Sequence, residues 1–330
     1  VTITFRKAIR ENVGLWINVI GGTGSGKTFS ALRLASGISG KNPFAIIDTE
    51  NRRALHYADQ FRFDHADLRA PFRPDAYAEA IMAADQAGYP VIVVDSGSHV
   101  WAGDGGVLDW QDDELDRMAG DDWKKREQCK MAAWIKPKMS HKQMVQKLLQ
   151  VKAHIILCLR AEQKIEMVKE NGKMVIQAKQ SLTGLDGWIP VCEKNLPFEA
   201  TASFLLTADR PGIPQPIKLQ DQHRKIIDLK RPLDEQTGMV LAQWASGSTK
   251  VAAAQVKGES APEDALQPGH PAPPDVQLVS EIAACVKSKK FDMAYDLCRG
   301  IQYAELRDET KARIDKARQY IEGQQAAAGA

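Results

Sequence analysis

Between an apolar run, Leu15-Trp16-Ile17-Asn18-Val19-Ile20, and a helix-prone one, Phe29-Ser30-Ala31-Leu32-Arg33-Leu34-Ala35, the chain carries Gly21-Gly22-Thr23-Gly24-Ser25-Gly26-Lys27-Thr28. These eight residues fit the pattern G-x-x-x-x-G-K-[ST], and their flanks supply the context it needs, a strand that ends where a helix begins. That order restricts the fold, because a strand feeding a crossover helix belongs to a mostly parallel sheet covered by helices. Glycines let the backbone curl so that successive N–H groups face one anion at the helix N-terminus. Gly21, Gly22, Thr23, Gly24, Ser25 and Gly26 are therefore expected to cradle the phosphates of a nucleoside triphosphate. Lys27 would reach the β- and γ-phosphates, and the Thr28 hydroxyl would ligate Mg²⁺. A glycine-rich turn that matches by chance is the alternative, and both flanks speak against it.

The first 160 residues alternate apolar strand-like runs with helical stretches. Strands are expected at 15–20, 44–48, 91–95 and 153–159, with helices near 27–37, 75–87 and 139–151. Residues 97–138 interrupt the alternation, hold Trp101, Trp110, Trp123 and Trp134, and read as a helical insertion. Asn171-Gly172 between Lys164–Val168 and Lys173–Ala178 signals a tight hairpin. Shorter strands are expected at 201–207 and 225–229, with turns around Pro211-Gly212 and Pro214. The fold class is α/β, a mostly parallel central sheet flanked by helices, within a domain spanning 1–247. Residues 248–275, rich in Pro, Ala and Gly, read as a flexible linker. Residues 276–330 read as a small helical module, with Val279, Ile282 and Val286 on one face and Leu306, Ile314 and Ile321 on another.

Binding a nucleotide is one task and hydrolysing it needs more groups. Val91-Ile92-Val93-Val94-Asp95-Ser96 reads as a Walker B strand whose Asp95 holds the Mg²⁺ shell together with Thr28. A strand-ending Asp that only caps the next turn is the plainer reading. Asp48-Thr49-Glu50 closes the strand at 44–48 on the same rim, so Glu50 is the candidate for polarising an attacking water.

Ile47-Asp48-Thr49-Glu50 and Val93-Val94-Asp95-Ser96 resemble the corresponding segments of RecA and RadA recombinases, in the same order after the glycine loop. The resemblance implies a RecA-like P-loop NTPase core, with ATP and Mg²⁺ as cofactors and Glu50 as catalytic base beside Lys27. It also implies a γ-phosphate sensor after the Walker B strand. Arg160, which follows Ile155–Leu159, is the first candidate; RecA uses a Gln there, and Gln163 lies three residues on. Over roughly residues 3–247 the chain is similar to phage-encoded AAA-type ATPases with a RecA-like core, grouped with the RecA-like single-strand annealing proteins (the Sak group). Gly184-Leu185-Asp186-Gly187-Trp188-Ile189-Pro190 and Glu199–Leu206 contribute to that likeness.

The net charge of +2 does not by itself point to nucleic acid, but charge is unevenly spread. Asp104 to Asp122 hold eight acidic residues against Arg117 alone, whereas 121–180 hold fourteen Lys or Arg against six acidic residues. A basic face of that size suits a polyanion, although solvated helix faces give the same count. In RecA the loop after the sensor contacts single-stranded DNA, and the corresponding stretch here carries Lys164, Lys169, Lys173 and Lys179 without aromatic residues. Trp123-Lys124-Lys125-Arg126, and Trp134 with Lys136 and Lys138, offer both groups, though Trp on amphipathic helices is more often core.

The five cysteines form no C-x-x-C pair and read as reduced thiols. No run approaches transmembrane length and the N-terminus lacks a signal-peptide core. A cytoplasmic location, that of the host for a phage protein, and no membrane partner are expected. The function expected is an ATPase acting on single-stranded DNA in phage recombination, annealing or replication, as a ring or filament of identical subunits. A single-strand-binding protein is a candidate partner for the tail. The alternative is a nucleotide-dependent assembly or loading factor that grips a protein; a small-molecule kinase is a third reading, which Glu50 and the long insertion disfavour.

Overall fold

Trp16–Gly21 forms strand β1 and is buried along its whole length, as an apolar run with no turn residue should be. It lies inside a sheet built from β2 (Phe44–Asp48), β3 (Phe63–Asp67), β4 (Val91–Asp95), β5 (His154–Gln163), β8 (Trp188–Pro190), β9 (Ala202–Thr207) and β10 (Arg210–Lys218). The structure is a computed structural model. It describes residues 5, 7–11, 13–170, 173–178 and 187–247, and in the tail residues 282, 291–299, 307, 310–311, 314–315 and 318.

The strand order is β10-β9-β1-β5-β4-β2-β3, with β8 paired to β5. Strands β9, β1, β5, β4, β2 and β3 run parallel, while β10 and β8 are antiparallel to their neighbours. The expected fold class, a mostly parallel sheet flanked by helices, is the one observed. Successive side chains of β1 alternate between two cores, as strand geometry demands. Trp16 and Ile20 pack with α2 (Pro74–Gln86) and α6 (Ile135–Leu148) through Tyr77, Ile81, Met144 and Leu148. Leu15, Ile17 and Val19 pack with α1 (Lys27–Ser39) and α9 (Glu235–Ala245) through Leu32, Leu34, Leu241 and Ala245. Asn18, alone polar in β1, accepts the Trp16 indole N–H at 2.8 Å and donates to Ser203 at 3.0 Å, so its burial leaves it partnered.

Helices α1 and α9 meet backbone to backbone. A Cβ on Gly37 would lie 1.9 Å from the Glu235 carbonyl oxygen, and one on Gly238 2.2 Å from that of Leu34. Only glycine allows this approach, which brings the chain's last core helix onto the helix that starts at the glycine loop.

Residues 97–138 hold α3 (His99–Ala102), α4 (Val107–Ala119), α5 (Trp123–Ala133) and the first turn of α6. Helix α6 thus begins at Ile135, earlier than the 139 expected. Beyond the sheet, β6 (Ile165–Glu170) and β7 (Lys173–Ala178) pair as the expected hairpin; Asn171 and Gly172 lie outside the described residues. Two local expectations fail. Residues 225–229 are not a strand: after α8 (Asp221–Arg224) the Ile226 and Ile227 N–H groups both donate to the His223 carbonyl, so turn bonds take the backbone that a ladder would need. Pro211-Gly212 and Pro214 lie within β10, an edge strand, where a missing N–H on the open side costs no ladder bond. Strand β3 was not expected because Asp64, His65 and Asp67 break its apolar pattern; it too is an edge strand.

The chain divides into two compact units, Val1–Gly258 and Glu259–Ala330. After α7 (Leu196–Glu199) and α8, the second unit adds α10 (Phe291–Arg299), whose Ala294 and Cys298 bury with Ile282 and Ile314. The linker at 248–275, and Val279, Val286, Leu306 and Ile321 of the tail, lie outside the described residues.

Candidate active site

Parallel strands end in line, so the sheet order decides which strand ends become neighbours. Gly21 on β1 pairs with Arg160 on β5, and Asp95 on β4 pairs with both Cys158 on β5 and Asp48 on β2. The glycine loop, Arg160, Asp95 and Glu50 therefore share one C-terminal rim, the usual ligand edge of an open α/β sheet.

Gly24 and Gly26 hold φ of 74° and 81°, the left-handed region that favours glycine, and so curl the chain into α1. The Ser25 hydroxyl donates to the Gly22 carbonyl at 2.8 Å and fixes the curl from inside. Gly212 N–H on β10 donates to the Ser25 carbonyl at 3.0 Å, and Gly22 faces the Trp188 ring, 3.2 Å from where a Cβ would stand. The Lys27 amine bends back to donate to the Gly22 carbonyl at 2.8 Å. Burial lowers its pKa, opposed by the nearby Cys158, Asp95 and Glu50.

The Thr28 hydroxyl donates to Asp95 Oδ2 at 2.5 Å. Burial pushes the Asp95 carboxyl up to about 6, against the pull of that hydrogen bond. Hydroxyl and carboxylate side by side at a helix N-terminus are hard oxygen ligands of the kind Mg²⁺ takes together with substrate phosphates. Among the described residues there is no cluster of three or more His, Cys, Asp or Glu that could hold a metal ion.

Glu50 sits at the far side of the row. Its N–H donates to Asp48 Oδ1 at 2.7 Å, and Asp48 Oδ2 accepts from Ala54 N–H at 2.8 Å, so Asp48 shapes the turn that carries Glu50. Glu50 Oε1 accepts from Arg160 at 2.7 and 3.2 Å, and Oε2 from Arg53 at 2.7 Å. Burial acts to raise the Glu50 carboxyl, but the Arg160 hydrogen bond and charge, with Arg53 and His99, outweigh it and hold the pKa below the ordinary value. The structure thus brings together Gly21 to Thr28, Glu50, Asp95 and Arg160. Gln163, at the end of β5, is exposed and backbone-paired with Trp188.

A second layer was not read from the sequence. Thr49 Oγ1 accepts the Ser96 N–H at 2.8 Å and lies 2.8 Å from His99 Nδ1, and the Tyr77 hydroxyl donates to the Ser96 carbonyl at 2.9 Å. Ser98 Oγ accepts the Arg160 N–H at 2.8 Å. The run Ser96-Gly97-Ser98-His99 directly after the Walker B strand was the available signal. These residues tie the ends of β2, β4 and β5 together.

The basic segments behave differently from one another. Trp123 is 68% exposed, contrary to the usual core role of Trp on such helices, and Lys124 Nζ lies 5.8 Å from its ring centre. Trp134 is half-buried, stacked on Trp101, with Lys138 Nζ at 4.9 Å. On the hairpin, Ile165, Met167 and Met174 are exposed and Lys164 pairs with Glu162 at 3.4 Å; Lys179 lies outside the described residues. Among the described residues no helix is long and apolar enough to cross a membrane.

No curated protein matches this sequence. Among solved structures, the KaiC-like protein PH0186 from the hyperthermophilic archaeon Pyrococcus horikoshii OT3 is 14% identical over 60% of this chain and 73% of that one, with a TM-score of 0.30. A likeness that slight carries no argument. The family assignment rests instead on residues 14–188, more than half of the chain, which run from the start of β1 through Arg160 to Trp188 and match the AAA domain family. By that match, this chain belongs to the AAA domain family.

Proposed function

We propose that this protein is a Mg²⁺-dependent ATPase of RecA-like type that acts on single-stranded DNA in phage recombination, annealing or replication. The observation that carries the reading is the row along one sheet edge: glycine loop with Lys27, Thr28 bonded to Asp95, and Glu50 beyond. Backbone N–H groups of residues 22–28 and the Lys27 amine bind and neutralise the phosphates. Thr28 and Asp95 hold Mg²⁺, which when bound neutralises charge on the phosphate oxygens. Glu50 accepts a hydrogen bond from the attacking water and orients it, as a positioned base does.

Exposed Trp123 beside Lys124 and Lys125, and the lysines of the hairpin, supply a salt-sensitive, sequence-blind grip on single strands. Assembly into a ring or filament, a tail that recruits a single-strand-binding protein, and a location in the host cytoplasm belong to the same reading. A second reading, a nucleotide-dependent loading factor acting on a protein, draws support from Met131, Ile135 and Met139, which are exposed along α5 and α6. The deciding experiment is ATP hydrolysis with and without single-stranded DNA, using wild type, Lys27→Ala and Glu50→Gln. DNA-stimulated turnover, lost ATP binding in Lys27→Ala and retained binding without hydrolysis in Glu50→Gln uphold the first reading. Hydrolysis that ignores DNA, with both variants behaving as described, transfers support to the second.

A further inference from the structure

Helix α5 is thinly covered for its length: of its eleven residues only Ala133 is buried. The Asp122 side chain holds its start by accepting from the Lys124 and Lys125 N–H groups, and the Arg126–Asp116 pair ties it to α4. Helices in proteins draw most of their stability from an apolar face packed on a neighbour. Here large apolar side chains face water instead. Met131 is 79% exposed, Ile135 64% and Met139 54%.

These three form one row. Only Trp134 separates α5 from α6, and it keeps helical angles, φ −75° and ψ −17°. The interruption follows from Pro137, which has no N–H to offer the Ala133 carbonyl. A spacing of four residues therefore places neighbours on one side, with Cβ atoms about 5–6 Å apart. Single exposed apolar residues are ordinary, whereas a contiguous row marks a contact surface. Helix α6 already buries another side through Met144, Val145 and Leu148, so the row is not a core face left uncovered.

Charge beside the row selects its occupant. Lys138 and Lys142 stand three residues after Ile135 and Met139, on the same side. Lys138 Nζ rests 4.9 Å from the Trp134 ring centre, and neither lysine forms an ion pair among the described residues. Aliphatic anchors with cations next to them fit apolar side chains accompanied by carboxylates. Nucleic acid supplies negative charge, but its bases stack on aromatic rings, which Met and Ile do not provide. The acidic helix of a second copy fits no better. Helix α4 buries Val107, Leu115 and Ala119 within its own subunit and exposes Asp109, Asp112 and Asp113, which carry no apolar anchor.

We propose that Met131, Ile135 and Met139, with Lys138 and Lys142, dock an acidic amphipathic helix of a partner protein. Apolar side chains of that helix seat among the two adaptable methionines, and its carboxylates pair with the lysines. The row runs about 12 Å along the helix axis, which makes the contact small, weak and reversible. It goes beyond the ATPase reading and depends neither on the nucleotide site nor on Trp123.

The test is fluorescence anisotropy of labelled synthetic helical peptides with the full chain. One peptide carries Leu at helical spacing with Glu beside it; its counterpart carries Lys in place of Glu. The acidic peptide is expected to bind with a Kd on the order of 10–100 µM, and the basic one about tenfold more weakly. Ile135→Glu is expected to weaken the acidic peptide about tenfold. Met239→Glu, at an exposed methionine of α9, is expected to leave binding unchanged. Lys138→Glu combined with Lys142→Glu is expected to reverse the preference toward the basic peptide. All these positions are exposed, and melting temperatures equal to wild type report intact folding. Equal binding of both peptides, no binding up to about 1 mM, or an Ile135→Glu variant that binds like wild type overturns the proposal. It also falls if an oligo-dT strand or phosphatidylserine vesicles, and not the acidic peptide, bind wild type and are lost in Ile135→Glu. The row would then serve nucleic acid or lipid.

Discussion

The Thr28 hydroxyl donates to Asp95 Oδ2 across 2.5 Å and so joins the first turn of α1 to the end of β4. The two residues are far apart in sequence, and each closes a motif of its own. Their bond brings the end of the glycine loop and the end of β4 to one point.

The same bond has a consequence for pH. Burial raises the Asp95 carboxyl to about 6, above the ~3.9 of an unfolded Asp. Because the folded-state value is the higher one, the contribution to stability is fully present below the unfolded value and is lost as pH rises through about 6. The loss amounts to at most ~3 kcal/mol. Asp95→Asn stays neutral at all pH and keeps an acceptor for Thr28. Without ligand or metal, the variant is expected to gain thermal stability over wild type at about pH 7.5 but not at about pH 4. Melting temperatures at the two pH values check this; an equal offset at both contradicts it.

The contact of α1 with α9 yields a contrast between backbone and charge. Gly238→Ala places a methyl 2.2 Å from the Leu34 carbonyl oxygen, and the helices must separate. A loss of about 2–3 kcal/mol is expected, more than the gain of about 1 kcal/mol in helix propensity can offset. Arg33 and Glu235 bridge the same helices with a forked pair at 2.6 Å, but both are partly exposed. Arg33→Ala is expected to cost less than about 1 kcal/mol. Urea denaturation of the two variants side by side would reveal the ranking, and the reverse order would contradict the packing argument.

Asn18 is the one polar side chain of β1, and its amide links the Trp16 indole to the Ser203 hydroxyl. Asn18→Ala removes the acceptor of a buried N–H, and a loss of about 1–3 kcal/mol is expected. Near-UV circular dichroism should report the altered Trp16 environment together with the lower unfolding midpoint. An unchanged midpoint would mean that water or a shifted neighbour takes over the bond.

For Trp123, exposure predicts a split between stability and binding. Trp123→Ala should leave the unfolding free energy within about 0.5 kcal/mol of wild type. Affinity for a single-stranded oligonucleotide should fall by about 1–3 kcal/mol, the worth of one stacked base. Fluorescence anisotropy at two salt concentrations checks both the loss and the salt slope. A variant that binds as well as wild type would remove α5 from the proposed DNA surface.

How far the sequence could be read depended on whether a feature was local. The glycine loop, the Walker B strand and the hairpin flanking Asn171-Gly172 each carry their signal within a dozen residues, because turn chemistry and strand burial act over that range. The same locality failed at 225–229, where Ile226 and Ile227 look like a strand but their N–H groups turn back to His223. It failed again at β3, where an edge position permits the charged residues that hid it.

By itself the sequence determined where Lys27, Thr28, Asp95 and Glu50 of the candidate site stand, at strand and helix ends that their own neighbours dictate. Only the tertiary structure decided what those residues are bonded to. Strand order placed β5 between β1 and β4, and with it set Arg160 on Glu50, a pair 110 residues apart. Packing alone left Trp123 outside while Trp101 and Trp134 stacked together. Sheet order and helix packing are fixed by contacts between distant segments, and no window of neighbouring residues contains both partners.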